Sequence, residues 1–233
     1  MFVLIRWRNT VFKNKKAIIW DLDNTLYRIT PEFADCLDEA MAEALVLDLG
    51  VNMSVAECKA LVKESYKIYR DGGEYFYQNY NISPKDLFKH YFNRKPIHLI
   101  EPYQGLYEKI KQIPFEQYVF TASNRIASEK ILKHIGLYEI FKDKFYSVED
   151  FGVYKKNENS EVYKQYCAKI GVNPHDCIFI DDSYSNLEFA KEIGITTVRI
   201  FYKENSAKDK TYIDTAYKGV IECVDALINC KNK

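Results

Sequence analysis

Residues 17–27 read AIIWDLDNTLY. Ala17 to Trp20 make a short, wholly apolar run of the kind that forms a buried strand, and Asp21 and Asp23 come where such a strand leaves the core. Carboxylates at that place are either turn-formers or chemical groups. Which of the two they are depends on what the rest of the chain brings beside them.

Beyond residue 103 the pattern alternates between short apolar strands and amphipathic helices. Gln117 to Thr121 reads as a strand, and Ile126, Ile131, Leu132 and Ile135 form a helical stripe closed by Gly136. Phe145 to Val148 is a shorter strand, succeeded by a stripe of Val162, Tyr163, Tyr166, Cys167 and Ile170 that closes at Gly171. Cys177 to Ile180 is a continuous apolar run ending in Asp181 and Asp182. A helix through Leu187, Ala190 and Ile193 stops at Gly194, Thr196 to Phe201 is the last expected strand, and a final helix is expected from about Asp214 to Asn229.

Strand and helix alternating in this way predict an α/β fold with a doubly wound, Rossmann-like parallel sheet. Ligands of such sheets sit outside the carboxyl ends of the strands. Asp21, Thr121, Asp181 and Asp182 all fall at expected carboxyl ends.

Residues 28–103 break the alternation and read as helices only. One helix opens at Thr30-Pro31 and runs to Gly50. The next has Ser54 and Glu57 at capping-box spacing, and a third opens at Ser83-Pro84. The expected organisation is therefore a core domain of residues 1–27 and 104–233, with an all-helical cap domain, residues 28–103, inserted over the strand ends.

Bulk properties narrow the partners. The 233 residues carry 33 basic and 33 acidic side chains, so no net charge favours nucleic acid or an anionic membrane. A small molecule is the expected partner. Six scattered cysteines without a C-x-x-C pair, and four histidines that do not group with them, argue against structural zinc and a disulfide scaffold and fit a reducing cytoplasm. The opening MFVLIRWRNTVF is interrupted by Arg6 and Arg8 and is too short for a membrane span of about 20 residues. It reads as an extra edge segment.

Asp21, Asp23, Asp181 and Asp182 cannot all ionise together in a closed pocket unless a cation sits among them. Hard oxygen ligands point to Mg²⁺ with a phosphorylated substrate. Thr121 offers a hydroxyl at a strand end, and Lys155 or Lys156 offers positive charge for a transferring phosphoryl group. Each alone also has an ordinary reading: Asp as a turn or helix cap, Thr as a strand residue, Lys as solvated surface.

In order along the chain, DLDNT (21–25), FT (120–121), a lysine at 155 or 156 and FIDDSYSN (179–186) resemble the four motifs of the haloacid dehalogenase-like hydrolase superfamily. DLDNTLY, ESYKIYRDGGEYFYQNYNISP and FIDDSYSNLEFA further resemble its pyrimidine 5'-nucleotidase branch. The resemblance implies Asp21 as a nucleophile that forms an aspartyl-phosphate, and Asp23 as the proton donor and acceptor, its pKa raised by burial and neighbouring carboxylates. It implies phosphate contacts from Asp21, Thr121, Ala122, Lys155 and Lys156. Mg²⁺ would be held by Asp21, the Asp23 main-chain carbonyl and Asp182, with Asp181 and Asn186 orienting them.

Two departures stand out. Ala122-Ser123-Asn124 replaces an Asn directly after the Thr, and KKNENSEVY replaces the usual Lys-Pro, so that the register aligning Tyr163 puts Asn157 in the lysine position. The implied activity is Mg²⁺-dependent phosphomonoester hydrolysis, with a pyrimidine nucleoside 5'-monophosphate as leading substrate. A sugar phosphate or phosphoglycolate phosphatase, a dehalogenase, and a binding protein with a decayed lysine motif are the rivals.

Overall fold

The computed structural model describes residues 11–203 and 210–232. A six-stranded sheet forms its centre, built from β1 (Ala17–Trp20), β2 (Glu116–Thr121), β3 (Phe145–Ser147), β4 (Cys177–Asp181), β5 (Thr196–Phe201) and β6 (Thr215–Lys218). The order is β3-β2-β1-β4-β5-β6, with every neighbouring pair parallel. This is a doubly wound order whose direction reverses between β1 and β4, the place where such sheets open a crevice for ligands.

Strands β1 and β4 are buried along their whole length because helices cover both faces of the sheet. One apolar layer gathers Ile18, Trp20, Ile178 and Ile180 with Val220, Val224 and Leu227; the other gathers Ile19, Phe120 and Phe179 with Tyr163, Tyr166 and Leu187. Alternate residues of the same strand feed opposite layers, as the two-residue repeat of a strand requires.

Between β1 and β2 lies the helical block: α1 (Pro31–Glu43), continued as a π-helical turn over Ala44–Asp48, then α2 (Val55–Tyr69), α3 (Glu74–Asn79) and α4 (Pro84–Tyr91). Thr30 caps α1 by accepting from the Phe33 N–H at 3.1 Å, and the Ser54–Glu57 capping box closes α2 in both directions. The block has its own apolar cluster, including Ala42, Leu45, Val51, Cys58, Phe76 and Leu87. The short α5 (Leu106–Lys111) leads into β2. Beyond β2 come α6 (Arg125–His134), α7 (Tyr138–Phe141), α8 (Glu161–Ile170), α9 (Tyr184–Glu192) and α10 (Gly219–Ile228).

The chain end corrects one expectation. The final helix starts at Gly219 rather than Asp214, and Thr215–Lys218 instead pairs with β5 as a sixth strand, Val198 opposite Thr215 and Phe201 opposite Lys218. Four residues are too few to display a strand's alternation, and the next helical stripe runs straight on from them. The six-residue α3 is a further addition, in an aromatic-rich stretch too short to show a helical stripe. The expected edge segment at the amino terminus falls mostly on residues 1–10, outside the described ones. Among the described residues no helix is long and apolar enough to cross a membrane, and all six cysteines are free thiols.

Candidate active site

Asp21 prolongs β1 by one ladder bond, its N–H donating to the Ile180 carbonyl at 2.8 Å, which brings its side chain beside the end of β4. Asp21, Asp181 and Asp182 each offer a carboxylate oxygen, and the three oxygens lie within 4.8 Å of one another. Lys156 closes the group. Its side chain is only 2% exposed, and its Nζ donates to Asp21 Oδ1 at 2.5 Å, Asp181 Oδ2 at 2.8 Å and the Phe120 carbonyl at 3.2 Å. Burial alone would push this ammonium down, but the charges of Asp181 and Asp21 outweigh it and hold the group above its ordinary value.

Lys155 goes elsewhere. Its Nζ meets Asp71 Oδ2 at 2.6 Å and Glu74 Oε2 at 3.0 Å, both from the helical block. Of the two candidate lysines, the structure brings Lys156 to the carboxylates, while Lys155 ties the helical block to the loop between β3 and α8. Asn157, which the Tyr163 register favoured, makes no hydrogen bond to them among the described residues.

Residues 15–194 match the model of the haloacid dehalogenase-like hydrolase family. The chain belongs to that family. Over 102 residues it is 29% identical to enolase-phosphatase E1 of Aquifex aeolicus (strain VF5), a match that spans 42% of this chain and 44% of that curated relative. A HAD phosphatase from Thermococcus onnurineus superposes with TM-score 0.61 at 18% identity, covering 91% of this chain and 97% of that one. The L-2-haloacid dehalogenase of Xanthobacter autotrophicus, with chloropropionic acid covalently bound, superposes with TM-score 0.58 at 12% identity over 91% and 97%. Identities this low establish a common fold.

The acidic group of this haloacid dehalogenase-like chain has the donor set of a hard-cation site. Asp181 is saturated: Oδ1 accepts from the Ser183 N–H at 2.7 Å, Oδ2 from Lys156, and the Asn186 amide donates to both at 3.2 and 3.0 Å. Asp182 Oδ2 accepts from Asn24 Nδ2 at 2.6 Å. Asp21 Oδ2 and Asp182 Oδ1 accept no hydrogen bond among the described residues, so these are the oxygens that could hold a metal. Burial, with the charge of Asp181, pushes the Asp182 carboxyl up to about 7. Burial also lifts Asp21, an effect that Lys156 opposes and Asp181, Asp182 and Asp23 reinforce. Three crowded carboxylates against one ammonium leave an excess of negative charge that a divalent cation fits.

Asp23 departs from expectation. Burial does push its carboxyl up, but the Lys95 charge and hydrogen bonds from Lys95, Ser123 and Tyr27 outweigh it, and the group sits below its ordinary value. Lys95 Nζ lies 2.6 Å from Asp23 Oδ1 and 2.6 Å from Ser123 Oγ, while the Ser123 hydroxyl donates to Asp23 Oδ2 and the Tyr27 hydroxyl to Oδ1. The expected neighbours were carboxylates; the decisive one is a lysine.

Thr121 is fully buried at the end of β2, and its Oγ1 accepts from the Ser123 N–H at 3.0 Å, so its own proton remains available for donation. Ala122 lines the adjoining cavity. Asn124 caps α6 by accepting from the Ala127 N–H at 2.8 Å, so it does not stand in for the missing motif Asn.

A cavity of about 660 Å³ adjoins the site, reaching it at Asp23, Ala122, Lys156, Ser183 and Asn186, while Asp21, Thr121, Asp181 and Asp182 lie behind its wall. Asp23, Lys95 and Lys156 form part of its wall, and Tyr66, Tyr69 and Tyr91 belong to the helical block's side. Sequence reasoning missed Lys95, Ser123, Tyr27 and Asn24. Ser123, Tyr27 and Asn24 each lie within four residues of a motif residue and could have been found there. Lys95 is 72 residues from Asp23 and carries no local signal.

Proposed function

We propose that this haloacid dehalogenase-like hydrolase is a Mg²⁺-dependent phosphomonoester hydrolase with residues 28–103 acting as a cap over a core of 1–27 and 104–233. The reading is carried by one observation: Lys156 is buried between Asp21 and Asp181 and borders a cavity whose wall it shares with residues of the helical block. Asp21 is the nucleophile. One of its two carboxylate oxygens attacks phosphorus while the other stays free for the cation, the bond from phosphorus to the ester oxygen breaks, and an aspartyl-phosphate forms. Water then cleaves the acyl phosphate and restores the carboxylate.

Lys156 holds Asp21 in line and meets the charge of the phosphoryl group, while Thr121 and the Ala122 backbone contact its oxygens. Asp21, Asp182 and the Asp23 carbonyl would hold Mg²⁺, with Asp181 kept in place by Lys156, Ser183 and Asn186. When bound, the ion supplies positive charge against which the phosphoryl oxygens are oriented. Asp23 moves the proton. As found it is ionised by Lys95, which suits deprotonating the water; to protonate a leaving alkoxide it has to take up a proton as substrate enters.

A pyrimidine nucleoside 5'-monophosphate is the leading substrate. The motif resemblance supports it, and so do the aromatic side chains on the cavity wall, Tyr66, Tyr69, Tyr91, Phe92 and Tyr154. A cytoplasmic location accords with six free thiols. The test is phosphate release with and without Mg²⁺ from UMP, CMP, dUMP, purine monophosphates, sugar phosphates, phosphoglycolate and an aryl phosphate, with Asp21→Asn as blank. Mg²⁺-dependent release led by UMP or CMP is expected. Release led by another ester discards the nucleotide, and none above the blank discards the hydrolase.

A further inference from the structure

Lys95 stands in the return connection from the helical block, between a 3₁₀ turn at Phe92–Arg94 and Pro96. Its side chain is 3% exposed, and it is on the cavity wall. A lysine ammonium has three N–H donors. Two are used, on Asp23 Oδ1 and Ser123 Oγ. The Phe92 ring, 5.0 Å from Nζ, gives the charge a favourable face but no oxygen acceptor. One donor of an enclosed cation is thus left without an oxygen among the described residues, and burying such a donor is costly unless something enters to accept from it.

Position says what enters. On the hydrolase reading, which this inference presupposes, Asp23 has to come within hydrogen-bond reach of the ester oxygen that leaves. Lys95 is one hydrogen bond away from Asp23, and both stand on the cavity wall. The part of the substrate that Lys95 can meet therefore lies just past the ester oxygen: the phosphorylated carbon and its next neighbour. Carbon offers Lys95 nothing; an oxygen on that neighbouring carbon offers an acceptor.

We propose that Lys95 is a specificity-determining residue that donates its remaining N–H to an oxygen on the carbon next to the phosphorylated carbon of the substrate. A nucleoside 5'-monophosphate presents its ring oxygen there, and many sugar phosphates present a ring oxygen or hydroxyl. A simple alkyl phosphate presents none and leaves the ammonium short of an acceptor. Lys95 in this role selects among leaving groups, whereas a purely positioning role through Asp23 would affect all esters alike.

The experiment compares two nearly isosteric esters, 2-methoxyethyl phosphate and n-butyl phosphate, which differ by one ether oxygen in place of a methylene at that position. Binding is measured by calorimetry in Mg²⁺ on full-length Asp21→Asn, which holds the esters without turning them over, and on the same protein carrying Lys95→Met. The ether is expected to bind roughly tenfold more tightly than the alkane, and Lys95→Met is expected to bring the two within about twofold. Equal binding before Lys95 is changed overturns the proposal, and this arm decides even if Lys95→Met does not fold. So does a preference for the ether that survives Lys95→Met. If wild-type protein still releases phosphate from esters in either of those cases, only the role of Lys95 falls. If neither ester binds and none is hydrolysed, the hydrolase reading falls with it.

Discussion

The ammonium buried between Asp21 and Asp181 compensates both carboxylates, so replacing it exposes what it was holding. Lys156→Met leaves two buried carboxylates facing each other across the space of the ammonium. Breaking a buried ion pair by removing one partner costs about 3–5 kcal/mol, because the remaining charge stays uncompensated. Urea unfolding of the metal-free protein should register a loss of that order. Turnover should fall about 10²–10³-fold, the usual cost of deleting one preorganised charge from a reacting centre; a fall under tenfold with the fold retained would remove Lys156 from the mechanism. Asp21, Asp23, Asp181 and Asp182 are legible in the sequence because each comes at the end of a buried strand, so the polarity switch marks them. Lys156 is legible only as one of two, since nothing local distinguishes a buried lysine from its half-buried neighbour until the 152–160 loop is folded. Lys95 is illegible: what makes it part of the site is a chain reversal through four helices, and that is also why the direction of the Asp23 pKa shift came out opposite to expectation.

At the scale of elements, one tie between the helical block and the loop following β3 runs through Lys155, which meets Asp71 just before α3 and Glu74 in its first turn. The pair is partly solvated, so Lys155→Met should cost no more than about 1 kcal/mol of stability. On activity the two lysines should separate: Lys155→Met should raise KM a few-fold and leave kcat nearly intact, in contrast to Lys156→Met. Steady-state kinetics on the best ester of the panel decides this. Ser54→Ala tests a different link, from sequence to helix. It removes the side-chain half of the α2 capping box, which should cost about 1 kcal/mol, visible as a lower melting temperature with kcat unchanged. Capped helices and fully buried strands are the elements the sequence announces, because caps and four-residue apolar runs are local facts. β6 is not announced. Its place at the sheet edge comes from Tyr217 packing into the core and from the β5 ladder, and neither is visible in four residues.

For the whole molecule, the doubly wound order matters because it puts carboxylates from β1 and β4, which are 160 residues apart, at one reversal of the sheet. The core therefore folds into a state that concentrates negative charge, with one lysine to offset it. Any cation that binds the folded carboxylates and not the unfolded chain will stabilise the fold by mass action, by about 2.7 kcal/mol at a hundredfold excess over Kd. Mg²⁺ should accordingly raise the melting temperature, and Mg²⁺ with beryllium fluoride, a mimic of the phosphorylated aspartate, should raise it further. Asp182→Asn removes a carboxylate with an unengaged oxygen and should abolish most of the Mg²⁺ increment, whereas Asp21→Asn removes both a ligand of the ion and the oxygen that beryllium must bond, and should weaken the first increment and abolish the second. Sodium chloride at equal ionic strength controls for screening. If Mg²⁺ shifts the melting temperature no more in the parent protein than in Asp182→Asn, the acidic cluster does not hold the ion, and Lys156 alone would have to balance the incoming phosphoryl charge.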